Sequence, residues 1–183
     1  MTRASFFLVL LILFVSLKKP ERVRSDQIAW DQDRPLRWED FQGAVPFGML
    51  FDAQSFSGIG YSYTPVRVGE QVEIQWEVTA YFDPSASWVR KDGATRLLLL
   101  HEQGHFDIAE IFCRDLREKL SQVTLDLENV EYYMELFLNE ELDNMRAYQN
   151  DYDRDTAHGT DREQQAHWAK MIREELEKRS LRN

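Results

Sequence analysis

The stretch His101-Glu102-Gln103-Gly104-His105 constrains the fold of this chain more than any other. It reads H-E-x-x-H, with Leu97-Leu98-Leu99-Leu100 before it and Phe106, Ile108, Ile111 and Phe112 after it. Two imidazoles four residues apart share a side when the backbone is helical. The apolar residues around them require that helix to be buried. A buried histidine pair needs partners, and a metal ion is the partner this spacing suits. His101 and His105 are thus expected as ligands of zinc, with Glu102 as the general base that takes a proton from the attacking water. Gly104 costs about 1 kcal/mol against Ala inside a helix, so a small residue there implies the close approach of another backbone or a substrate. The opposing reading is a chance match, with both histidines on a charged helix surface.

A chain of 183 residues is long enough for one domain with a proper core and too short for two comfortable ones. Its net charge of −10 leaves no basic stripe to neutralise phosphates, which argues against a nucleic-acid partner. Cys113 is the sole cysteine, so intrachain disulfides and cysteine-rich zinc sites are excluded. Its place in the apolar run after the motif marks it as a small core residue.

At the N-terminus, Arg3 precedes an apolar stretch from Ser5 to Leu17. The stretch is short for a transmembrane span and matches the apolar region of a secretory signal. Lys18-Lys19-Pro20-Glu21-Arg22 follows at once, without a small-x-small cleavage site. Residues 1–26 are therefore expected as a signal peptide or a retained membrane anchor, and 27–183 as an exported, periplasmic or outward-facing domain.

Beyond that segment, Trp30 to Gly43 reads as loop with a short turn of helix. Ser55 to Thr64 reads as a strand, bulged at Gly58 or Gly60, with a turn at Val66 to Gly69. Val72 to Phe82 alternates most clearly: Val72, Ile74, Trp76, Val78, Ala80 and Phe82 face one side. A motif helix is expected from about Ala94 to about Ser121. A second is expected from Asp126 to about Tyr148, a break over Asp151 to Asp161, and a third helix from about Arg162 to Arg179. Strands first and helices afterwards indicate an α+β domain, with a small antiparallel sheet followed by three helices.

A catalytic zinc takes three protein ligands and keeps one position open. Candidates for the third are His158, His167, Asp153, Glu140, Asp107 and Glu110. Asp107 and Glu110 point away from the histidine face of a regular helix, although Asp107 could hold an imidazole through its second nitrogen. Glu140, in Asn139-Glu140-Glu141, echoes the ligand segment of thermolysin-like peptidases, but glutamate pairs are common on solvated helices. His158 lies where the helical pattern lapses and can be aimed freely. His167 suits an accessory role. Tyr152 could donate to a developing oxyanion.

Trp38-Glu-Asp-Phe-Gln-Gly43, His101-Glu-Gln-Gly-His-Phe-Asp107, and Tyr152-Asp153 with Thr156, His158, Gln165 and Trp168 together resemble the bacterial family named domain of unknown function 922. The likeness spans about Trp30 to Leu176. Members are regarded as exported zinc-dependent peptidases on the strength of the motif. The resemblance implies a zincin-type site with His101 and His105 as ligands, Glu102 as base, and His158 as third ligand. The expected function is a zinc metallopeptidase acting on a peptide or protein, with the edge of Val72–Phe82 offering backbone hydrogen bonds to an extended chain. Three alternatives stand beside it. One is a non-catalytic surface module whose metal is closed by His158 and His167; the others are a metal-free interaction domain and a zinc hydrolase of a non-peptide amide.

Overall fold

A computed structural model of the chain describes residues 23–180. The expected signal or anchor over residues 1–26 lies almost wholly outside them. Among the described residues no helix is long and apolar enough to cross a membrane.

The fold is α+β, with a small antiparallel sheet and three helices. Its sheet has β1 (Ile28–Ala29), β4 (Gln71–Phe82) and β3 (Ser57–Val68) in the order β1-β4-β3. A second, two-stranded ribbon joins β2 (Ala53–Gln54) to β5 (Trp88–Val89). The helices are α1 (Arg96–Ser121), α2 (Val130–Thr156) and α3 (Arg162–Ser180). A single 3-10 turn, Trp38–Asp40, supplies the expected short helix in the first loop.

Alternation on β4 acts as anticipated. Val78, Ala80 and Phe82 enter the core, while Val72 at the far end is exposed. β3 is longer than its sequence suggested. It pairs residue for residue with β4 from Ser57↔Phe82 to Val68↔Gln71, leaving Gly69 and Glu70 as the turn. Gly69 there has φ +65°, the left-handed backbone glycine favours. Pro65 is tolerated inside β3 because the strand lies at the sheet edge. The bulge expected at Gly58 or Gly60 is absent; instead, a Cβ on Gly58 would stand 2.9 Å from Cζ of Tyr81, directly across the ladder.

Helix α1 is capped by Thr95, whose hydroxyl accepts from the Leu98 N–H at 3.2 Å. It runs between the sheet on one side and α2 and α3 on the other, which is why Phe106, Ile108, Ala109, Ile111, Cys113 and Leu116 are all buried. Cys113 is a core residue, with burial pushing its thiol pKa well up. Glu110 is also buried, but its carboxylate is met by Arg114 at 2.8 Å and Arg117 at 2.9 Å, and Arg117 continues to the Val78 carbonyl.

The expected break after Tyr148 does not occur. Met145, Tyr152 and Thr156 continue the buried stripe of α2, and Arg154 pairs with Asp151 on the outer face. The helix runs about two turns further, to Thr156, and stops where Ala157, His158 and Gly159 take φ of 48°, 52° and 77° in succession. α3 then starts from Asp161, whose carboxylate accepts from the Glu163 and Gln164 N–H groups at 3.0 Å.

Candidate metal centre

His101 and His105 project from the first half of α1 toward the C-terminal turn of α2. Their Nε2 atoms lie 3.3 Å apart, and each is 3.1 Å from the same oxygen, Oδ1 of Asp153. His101, His105 and Asp153 form a set whose ligand atoms all lie within 4.8 Å of one another. His101 is buried, whereas the side chains of His105 and Asp153 are 13% and 29% exposed, so the cluster opens outward past α2.

Protons around His101 follow from its neighbours. Tyr152 donates its hydroxyl to the His101 carbonyl at 3.2 Å, and the Tyr152 oxygen receives Nε2 of Gln165 at 2.7 Å. That orientation turns Oε1 of Gln165 toward His101 Nδ1, at 3.2 Å. Thr156 gives its only hydroxyl proton to the Tyr152 carbonyl at 2.7 Å and lies 3.5 Å from the same Nδ1. Both neighbours of Nδ1 are therefore acceptors, and Nδ1 carries the hydrogen. The lone pair of His101 falls on Nε2, facing Asp153 and His105. Two imidazole nitrogens and a carboxylate oxygen brought this close form a donor set that could hold a metal ion, and their chemistry suits zinc.

Two glycines let this packing happen. A Cβ on Gly104 would stand 2.7 Å from Cζ of Tyr152, so the residue admits a side chain of α2, not the backbone or substrate that the sequence suggested. Tyr152 itself stacks on His101 with ring centroids 4.7 Å apart. A Cβ on Gly159 would stand 2.7 Å from Cβ of His101, at a φ only glycine takes easily.

Glu102 is buried at 3% exposure, and its Oε2 accepts the Ser55 N–H at 2.8 Å. The segment between β2 and β3 thus holds the expected base. Nothing in the sequence pointed to Ser55.

The remaining expected site residues fall as follows. His158 stands beside the cluster, with Nδ1 3.4 Å from Asp153 Oδ1, its side chain 52% exposed and its ring 4.7 Å from that of Phe51. The compact ligand set contains Asp153 in the place expected of His158. Tyr152, expected as an oxyanion donor, is fully buried with its hydroxyl engaged on both sides, and burial raises its pKa. Asp107 does not hold an imidazole; it accepts from the Trp30 indole at 2.9 Å and from Gln103 at 2.7 Å. Glu140 pairs with Lys119 at 2.8 Å on the outside of the helices, and His167 is exposed on α3. β4 offers no free edge next to the site. β3 covers one side, while β1, Trp30 N–H and Arg117 occupy the other from Val78 to Phe82.

Residues 71–159, which carry β4, the H-E-x-x-H motif and Asp153, match the sequence model of a family described as bacterial protein of unknown function, domain 922. No curated protein and no solved structure matches the chain.

Proposed function

Because the chain belongs to this bacterial family of unknown function through residues 71–159, and the family's description names no activity, we propose its function from the site alone: a zinc-dependent metallopeptidase of zincin type. The observation that carries the reading is the convergence of His101 Nε2, His105 Nε2 and Asp153 Oδ1, with the His101 proton held on the opposite nitrogen. His101, His105 and Asp153 would hold the metal, and Gln165 and Thr156 keep His101 in the tautomer that can bind. Bound zinc would polarise the scissile carbonyl and lower the pKa of its water to about 7.

The chain's own residues do the rest. Glu102, next in sequence to a ligand and pinned by Ser55, takes the proton of the attacking water and returns it to the leaving amine. Its burial excludes bulk water from that transfer. His158, on a left-handed backbone at the open side, faces the reacting carbonyl as a donor, the role the sequence assigned to Tyr152. Tyr152 is a positioning residue: it packs under His101 and orients Gln165. The N-terminal apolar stretch supports export, with a peptide or protein outside the cytoplasm as substrate.

One observation favours a closed structural metal site instead: His158 Nδ1 is 3.4 Å from Asp153 Oδ1, near enough for a fourth ligand after a small shift. Hydrolysis separates the readings. Full-length protein supplied with zinc is expected to cleave an unstructured protein such as denatured casein, to stop when a chelator strips the metal, and to resume when zinc is restored. Absence of cleavage by zinc-loaded protein, or cleavage indifferent to the chelator, would overturn the peptidase reading.

A further inference from the structure

Between Gly43 and Phe51 the chain has no charged residue, although 30% of its residues are charged. Val45, Phe47, Leu50 and Phe51 in this loop are exposed, as is Phe56 just beyond it, and Phe47 and Leu50 meet solvent almost completely. Single exposed apolar residues are ordinary, but a run of them on one segment marks a binding surface.

The loop is tied down on both sides. Gly43 N–H donates to the Ser87 carbonyl at 2.7 Å, the Arg90 guanidinium reaches the Met49 carbonyl, and Arg90 N–H donates to Asp52 O at 2.7 Å. It also borders the candidate metal centre at two points. Phe51 lies against the ring of His158 at 4.7 Å, and Ser55 N–H holds Glu102 at 2.8 Å. Ser55 Oγ is buried and has no partner among the described residues. The apolar loop thus ends beside the proposed donor, through Phe51, and leads into the backbone that holds the proposed base, through Ser55.

Resting on the metallopeptidase reading, we propose that the segment from Val45 to Phe56 selects the substrate, an extended peptide with a large apolar side chain beside the scissile bond. Phe51 and Phe56 contact that side chain, and Phe47 and Leu50 extend the contact to a neighbouring apolar residue. The continuity of the loop with Glu102 and His158 favours a peptide in the site over a partner bound elsewhere. Asp52 is the one charged residue between Val45 and Phe56, so an acidic side chain at this position would lose water without gaining a counter-charge.

Binding of small hydroxamates to full-length, zinc-loaded protein tests this. Acetohydroxamate reports the metal alone, and two peptide hydroxamates carry Leu or Gly next to the hydroxamate. The Leu compound is expected to bind about tenfold or more tightly than the Gly compound. In F51S and in F56S that preference should shrink to about twofold, with acetohydroxamate binding unchanged in F56S, which also shows that this variant is folded. Equal binding of the Leu and Gly compounds, or a preference untouched by the variants, would overturn the proposal. So would variants that differ from wild type only in losing association with phosphatidylcholine vesicles, which would assign the patch to lipid. Failure of acetohydroxamate to bind would overturn the metal reading itself and this inference with it.

Discussion

Glu102→Gln is expected to lower peptide hydrolysis by roughly 10²- to 10⁴-fold while leaving bound zinc in place, since removing general-base catalysis costs about that much. The substitution keeps size and keeps an oxygen able to accept the Ser55 N–H, so the segment that pins Glu102 remains docked. The amide cannot take a proton from the attacking water. Parallel measurement of turnover and metal content checks both halves. A variant with more than half of wild-type turnover would show that Glu102 does not act as base. A variant that lost its metal would show that Glu102 is needed to build the site.

Replacing Tyr152 by Ala is expected to cost about 3–5 kcal/mol of stability, the range for truncating a large buried aromatic. Tyr152 is fully buried, stacks on His101, packs at 5.4 Å from Trp168 and fills the space that Gly104 leaves on α1. Removing the ring opens a cavity between α1 and α2 and frees Gln165. For a domain of this size the loss corresponds to a fall in Tm on the order of 10 °C. Thermal unfolding in chelator, so that metal binding does not add to apparent stability, measures it. Tyr152→Phe separates packing from chemistry. It should retain turnover within a few-fold, whereas loss of a true oxyanion donor would cost about 10²–10³-fold.

Much of this architecture could be read from the chain because it rests on local pattern. The period of two in Val72–Phe82 reappears as the burial of Val78, Ala80 and Phe82. Thr95 and Asp161 start their helices as capping residues should. The i, i+4 geometry of His101 and His105 follows from helicity alone. Local pattern misleads where tertiary packing decides. The charged run from Asp151 to Asp155 reads as a break, but Tyr152 and Thr156, four apart, keep α2 helical by burying against His101. That extension brings Asp153 to the histidines and leaves His158 just past the helix end, in a left-handed conformation no pattern of polarity announces. A glycine inside a helix implies close approach, yet what approaches Gly104 comes from a helix far along the chain. Ser55 and Gln165 act through a backbone N–H and an amide orientation, which composition and spacing do not reveal.

The proposed chemistry depends on His101, His105 and Asp153 holding a metal ion. Elemental analysis of purified full-length protein, compared with Asp153→Ala and His158→Ala, tests it most directly. About one zinc per chain is expected in wild type and in His158→Ala, with most of it lost from Asp153→Ala. Folded wild-type protein without metal after incubation in zinc would contradict the account. Retention in Asp153→Ala with loss in His158→Ala would contradict the ligand set and restore the three-histidine site.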